Sequence, residues 1–242
     1  MSIPYIHDEI LHNSEAARQV LPILFEIYQP KSMLDVGCGL GNWIQVAKSL
    51  GVPKITGIDG SYVNRLLLKI TEDEFVEKDL KEKFNLNQKF DLAICLEVAE
   101  HLPAESAAGL IESLTLHADV IIFSAALPGQ GGQNHINEQW PDYWQKLFTK
   151  NGFEMIDFFR PKIWNNQKIE NWYKQNMFLV VKKEHFLDNG MDKLALSLIH
   201  PELFETIIEQ YEQRIKKLQH TIDNLQSRDI IGKAIRLFKG KK

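Results

Sequence analysis

Only two cysteines, Cys38 and Cys95, occur in 242 residues, too few for the disulfide framework of a small secreted scaffold. No apolar run reaches the roughly 18 residues a bilayer-spanning helix needs, and the first residues show no basic stretch followed by an apolar one. Neither a membrane span nor a secretory leader is therefore expected, and a reducing cytoplasm is the expected location. Excess positive charge is missing too: 28 Lys and Arg stand against 32 Asp and Glu, a formal net charge of −4. Such a chain has no global pull towards nucleic acid. With 44% hydrophobic and 25% charged residues it can bury one full-sized core and carry an appendage.

The most informative stretch is Met33-Leu34-Asp35-Val36-Gly37-Cys38-Gly39-Leu40-Gly41-Asn42-Trp43. Ser32 to Val36 suits a buried parallel strand, and Ile44, Val46, Ala47 and Leu50 follow at helical spacing. Glycines at 37, 39 and 41 permit positive φ and leave no Cβ between the turn and a ligand lying on it. A dinucleotide site would have G-x-G-x-x-G; here the spacing is G-x-G-x-G, and Asp35 would repel a pyrophosphate. Its carboxylate suits a ligand with an ammonium and a sulfonium, which describes S-adenosylmethionine. The stretch resembles motif I of the class I methyltransferases in its D-V-G-C-G-x-G form. That resemblance implies a Rossmann-like, doubly wound α/β sheet of seven strands with a reversed β-hairpin at its edge.

Further along, Lys54 to Ile58 reads as a second strand ending in Asp59-Gly60-Ser61, 18 residues beyond Gly41. A βαβ unit of that length brings a carboxylate onto the hydroxyls of a ribose. The bland alternative makes Asp59 the cap of a helix starting near Tyr62. Phe75 to Leu80 reads as a third strand, and in the resembled family the acid matched by Asp79, beside Leu80, accepts from the adenine amino group. The cofactor-binding set expected from motif and resemblance together is Asp35, Gly37, Cys38, Gly39, Gly41, Asp59, Asp79, Leu80, Leu96 and Glu97. Before all this, Ser14 is a plausible cap for a helix to about Tyr28, with a kink or restart at Pro22; the polar arm ahead of it holds Tyr5, His7 and His12, and either Tyr5 or His7 closes over a cofactor or the arm is plain surface.

A fourth strand, Phe90 to Leu96, runs into Glu97-Val98-Ala99-Glu100-His101-Leu102-Pro103. Strand ends of open α/β sheets are where ligands collect. E-x-x-E-H groups two carboxylates and an imidazole that could hold a divalent metal. A comparable E-x-x-E-H occurs in metal-dependent methyltransferases, including small-RNA 2′-O-methyltransferases, which add a later histidine; His135 is the matching candidate. An E-H-L-P ending also recurs in methyltransferases without metal, where it shapes the pocket, and the metal-free form is preferred: no metal is expected, with Glu97, Glu100, His101 and His135 as the candidate ligands if one is used. A fifth strand, Val120 to Leu127, leads into a glycine-rich loop, Pro128 to Trp140, long enough to act as a lid. Its His135 could take a proton from a hydroxyl, so His135, His101 and Glu97 are the expected catalytic group.

Pro141 to Lys150 is predicted helical, Phe153 to Arg160 a sixth strand, and Met177 to Val181 a seventh, reached by a helix-free return. Trp140, Trp144, Trp164 and Trp172, with Tyr143 and Tyr173, crowd this region; most are expected in packing and two at most against substrate. The composite N-H-I-N-E-Q-W-P and W-Y-K-Q-N-M is similar to uncharacterised methyltransferases associated with bacterial surface-glycan synthesis, and that resemblance is what points to a sugar or glycan substrate.

Residues 1–185 are thus expected to be the methyltransferase domain and 186–242 a helical extension. In the extension Phe204, Ile208, Tyr211, Ile215, Leu218, Ile222 and Leu225 step by four and three, an a/d seam that suggests a coiled coil and a homo-oligomer. Residues 228–242 form a basic amphipathic end that could touch the inner membrane surface. The expected function is S-adenosylmethionine-dependent O-methylation of a sugar hydroxyl. Metal-dependent RNA 2′-O-methylation and a non-catalytic cofactor-binding scaffold are the alternatives.

Overall fold

The computed structural model describes residues 14–185 and 197–239. In chain order it contains α1 (Glu15–Phe25), β1 (Ser32–Val36), α2 (Asn42–Ser49), β2 (Lys54–Asp59), β3 (Phe75–Glu77), β4 (Leu92–Leu96), α3 (Ala107–His117), β5 (Val120–Ser124), α4 (Pro141–Lys150), β6 (Phe153–Ile156), α5 (Arg160–Ile163), α6 (Asn171–Asn176), β7 (Phe178–Lys182) and α7 (Pro201–Lys239). The strands form one sheet in the order β3-β2-β1-β4-β5-β7-β6. All neighbours pair in parallel except β7, which runs antiparallel to both β5 and β6. This is the expected Rossmann-like sheet with its reversed hairpin.

The central strands are apolar on both faces because helices cover both. Met33, Ile94, Ile122 and Leu179 pack with α1 and α2 on one side. Leu34, Ala93, Cys95, Ile121, Phe123 and Val180 pack with α3 and α4 on the other. Alternation of side chains along each strand sends successive residues to opposite layers. Strand order reverses between β1 and β4, so their carboxyl ends splay the following connections apart and open a crevice.

Several local expectations need correction. The first helix stops at Phe25 rather than Tyr28, and Pro22 lies inside it; Tyr28 instead donates from its hydroxyl to the Asp91 carbonyl, 2.8 Å away, tying the helix exit to the sheet. No α-helix begins near Tyr62; only a single 3₁₀ turn, Arg65–Leu67, forms there. The return from β6 to β7 is not helix-free, since α5 and α6 fill it around a buried Arg160–Asp157 ion pair, 2.6 Å. The division of the chain falls at His200/Pro201, not after 185. The physical reason is hydrogen bonding: the His200 imidazole meets the Trp164 carbonyl at 2.7 Å and the Gln175 amide donates to the Leu198 carbonyl at 2.5 Å. In the second unit, the described residues 201–239 form helix α7. Tyr5, His7 and His12 lie outside the described residues. Among the described residues no helix is long and apolar enough to cross a membrane.

Candidate active site

A cavity of about 660 Å³ opens at the carboxyl ends of β1, β2 and β4. Its floor is the turn Gly37-Cys38-Gly39-Leu40, its sides are Asp59-Gly60-Ser61-Tyr62 and Glu77-Lys78-Asp79-Leu80-Lys81, and its far wall is Leu96-Glu97-Val98 with His101 to Pro103. Asn134 and Ile136 reach in from the loop after β5. The glycine turn is needed for a reason the sequence did not show. Gly37 sits at φ +80, and a Cβ there would lie 2.3 Å from the Val98 side chain. The close approach is therefore between the first and fourth strand ends, not only between turn and ligand.

Asp59 is 2% exposed and organises the turn. Its Oδ2 accepts from the Gly39 amide at 2.7 Å and its Oδ1 from the Gly60 amide at 2.6 Å. The Tyr62 hydroxyl also donates to Oδ1. A carboxylate at a strand end with a tyrosine hydroxyl already on it is a site built to receive hydroxyl donors, and the helix-cap alternative is excluded by the missing helix. Asp79 is exposed, with Oδ1 accepting from the Lys81 amide at 3.0 Å, while Leu80 is buried behind it. Two members of the expected cofactor set do not line the cavity. Gly41, φ +85, is packed against Ile70. Asp35 lies behind the floor, buried, with Oδ2 lacking a hydrogen-bond partner. Burial first, and then the neighbouring Asp59 charge, hold its pKa well above the ordinary carboxylate range.

At the mouth, Glu97 takes a left-handed backbone, φ +54, a conformation that costs a non-glycine residue on the order of 1–3 kcal/mol. Its amide is fixed by the Ser124 carbonyl and hydroxyl at 3.0 and 3.1 Å. Its carboxylate accepts from Gln130 Nε2 at 2.9 Å and from Asn176 Nδ2 at 3.1 Å, and Asn176 also donates to Gln130 Oε1 at 2.8 Å. Burial raises the Glu97 pKa despite these amides. Glu100 is wholly buried, with neither carboxylate oxygen hydrogen-bonded, and its pKa is pushed well up by burial and then by the Glu97 charge. One atom each of Glu100, His101 and His135 can be chosen so that all lie within 4.8 Å of one another. The two imidazole rings meet edge to face, centroids 4.8 Å apart. Glu97 is not one of the three; its carboxylate accepts from the Gln130 and Asn176 amides, and its charge bears on Glu100.

The loop expected to be a lid is pinned in this structure. Ile136 and Asn137 donate their amides to the Glu100 carbonyl at 2.9 and 3.0 Å. Glu138 accepts from the Gly129 and Gly131 amides, both 2.7 Å, and meets His135 Nδ1 at 3.0 Å. An Nδ1–H donated to Glu138 leaves Nε2 as the acceptor. Glu138, Gln130, Asn176 and Tyr62 are the site residues that sequence reasoning missed. Each is a polar residue beside a motif already noticed, and the signal was available for Asn176, a polar side chain immediately before a buried strand. Both thiols are held up by burial, so neither Cys38 nor Cys95 offers a thiolate.

The aromatic cluster divides. Trp144 is core, Trp164 meets the His200 ring at a tilt, centroids 4.2 Å apart, and Tyr173 meets Trp43 edge-on at 5.6 Å. Trp140, 40% exposed, and Tyr143 line a second groove of about 530 Å³ with Gln139, Asp142 and Lys146.

A family model described as a methyltransferase domain matches residues 7–176. The chain belongs to this family. Among solved structures, the sugar N-methyltransferase KedS8 from a Streptoalloteichus species is similar at 14% identity and TM-score 0.56, covering 76% of this chain and 95% of that one. CalS10, an amino pentose methyltransferase from Micromonospora echinaspora seen with S-adenosylmethionine bound, is similar at 14% identity and TM-score 0.51, covering 74% and 98%. The methyltransferase domain of bacterial CtHen1 is similar at 18% identity and TM-score 0.51, covering 70% and 98%. At these identities the likeness is one of fold. An uncharacterised Haemophilus influenzae protein is 28% identical over 165 residues, 66% of this chain; the match spans about half, 55%, of that relative's length.

Proposed function

We propose that this methyltransferase domain binds S-adenosylmethionine in the 660 Å³ cavity and methylates a hydroxyl of a sugar or glycan intermediate. The observation that carries the chemistry is the Glu138–His135 pair, an imidazole oriented by a carboxylate on the loop whose Asn134 and Ile136 line the cavity, with its ring against that of His101, itself a lining residue. The donor site fits the residues present: Asp59 offers carboxylate oxygens on the cavity side, Leu80 and Leu96 form apolar walls, and the buried Asp35 carboxyl lies behind the turn.

S-adenosylmethionine supplies an electrophilic methyl group when bound. The rest falls to the chain. Asp59 and Asp79 orient the donor, Glu97 on the far wall is held by the Gln130 and Asn176 amides, and His135 accepts the hydroxyl proton as the oxygen becomes a nucleophile. Glu138 then stabilises the imidazolium. A sugar acceptor is supported by the groove beside the loop, where Trp140 and Tyr143 offer ring faces and Gln139 and Asp142 offer hydroxyl partners. Two fold neighbours, KedS8 and CalS10, act on sugars.

A second reading rests on the Glu100, His101 and His135 trio, whose buried unpaired carboxylate suits a divalent cation. It makes the enzyme metal-dependent and extends to RNA 2′-hydroxyls. The deciding experiment transfers tritiated methyl groups into extract fractions of lipid-linked sugar, RNA and protein, with and without chelator. Label in the sugar fraction that resists chelation supports the first reading; chelator-sensitive label in RNA supports the second. Label in neither fraction overturns both.

A further inference from the structure

Helix α7 spans 39 residues, about 58 Å at 1.5 Å per residue, and its seam is open to solvent. Ile208, Ile215 and Ile222 expose 41, 63 and 46% of their surface; Phe204, Tyr211, Leu218 and Leu225 expose 51, 52, 56 and 60%. A helix of this length is rarely stable on propensity alone; an apolar face must be covered for it to persist. The question is what covers this one.

We infer that α7 pairs with α7 of a second copy of this chain, as a parallel, in-register, two-stranded coiled coil over residues 204–225. Three features of the seam choose that occupant. First, the stripe is narrow. Apolar residues recur at two positions per heptad, whereas a helix lying on a globular core or a lipid surface needs a face of 100° or more. Apart from Ile207 at the start of the seam, the remaining positions, among them Glu209, Gln213, Lys216, Lys217 and His220, are polar and of both signs, which suits water rather than an anionic membrane.

Second, the steps of four and three assign the registers without ambiguity. Isoleucine occupies each a position, at 208, 215 and 222, and Phe204, Tyr211, Leu218 and Leu225 occupy d. β-Branched residues at a with leucine at d are the combination that favours two parallel strands over three or four, and the seam has it at its C-terminal half, with Leu218 and Leu225 at d. Third, the flanking positions allow that pairing. In a parallel pair each g residue faces the e residue five places on in the partner strand, so position 207 meets 212 and 214 meets 219. These are Ile207 with Glu212 and Arg214 with Gln219, and neither brings like charges together.

The proposal does not depend on the methyl acceptor, and the test uses the full chain. Sedimentation velocity from about 1 to 100 µM should show a dimer in reversible equilibrium with monomer. Ile215→Lys, at the centre of the seam, should raise the dimer dissociation constant about a hundredfold or more while leaving S-adenosylmethionine affinity unchanged. Orientation is read by Leu225→Cys. At one end of the seam this residue meets its own counterpart only in a parallel, in-register pair, and the buried Cys38 and Cys95 do not compete. Mild oxidation should then give an interchain disulfide. A monomer at about 100 µM, or a dimer unmoved by Ile215→Lys, overturns the seam; a dimer whose Leu225→Cys form does not cross-link overturns the parallel register.

Discussion

Replacing Asp59 by alanine should separate two jobs that the structure gives one carboxylate. Alanine removes the acceptor for the buried Gly39 amide and for the Gly60 amide. Stranding a buried donor costs about 1–3 kcal/mol. Part of that is returned because Asp59 no longer repels Asp35, whose carboxyl is held neutral-leaning mainly by burial and then by Asp59. For a domain of this size a loss of 1–2 kcal/mol lowers the melting temperature by about 2–8 °C. Cofactor binding loses in addition a charge-assisted acceptor, about 1.5–3 kcal/mol or ten- to a hundredfold in affinity. Asp59→Asn keeps one acceptor oxygen, so it should recover much of the stability and little of the affinity. Differential scanning fluorimetry on the empty protein and calorimetry with S-adenosylmethionine measure the two separately. A lowered melting point with unchanged affinity in both variants would falsify the ribose assignment and leave Asp59 as a brace for the glycine turn.

Tyr62→Phe should tighten S-adenosylmethionine binding, by a few-fold, because the Tyr62 hydroxyl competes for the Asp59 oxygen that the ligand would use; weaker binding by calorimetry refutes the competition. Glu138→Gln should lower kcat by about tenfold to a hundredfold while sparing cofactor affinity, since it unfixes the His135 ring without touching the cavity floor; Glu138→Ala should fall further, because the Gly129 and Gly131 amides lose their acceptor too, and an unchanged kcat in both removes Glu138 from the reaction. The empty protein should lose stability as pH rises from mildly acidic towards neutral: Asp35, Glu97 and Glu100 have folded-state pKa values above their unfolded ones, so the folded chain holds more protons in that window and deprotonation disfavours it. Glu100→Gln should flatten the slope in melting temperature against pH, and a slope of opposite sign, or one Glu100→Gln leaves intact, refutes the assignment.

What could be read directly from the chain was whatever depends on local periodicity and on backbone chemistry at single positions. The predominantly apolar runs at 32–36, 92–96 and 120–124 fix buried strands, because only a sheet covered on both faces tolerates them. Gly37 and Gly41 announce a turn because no other residue takes their φ cheaply. Asp59 follows from the length of a βαβ unit, and the α7 seam from its steps of four and three. Tertiary structure decided everything that joins distant segments. Asp35, in the motif, is withdrawn behind the cavity floor, while Tyr62, in no motif, closes on Asp59. Asn176 and Gln130, 46 residues apart, meet only because β7 is inserted beside β5, and together they supply the amide donors that hold the Glu97 carboxylate. Spacing along a chain constrains which residues share a helix face or a strand end. Which buried acid keeps a partner is settled by packing, since a desolvated carboxylate takes whatever donor the fold leaves within reach.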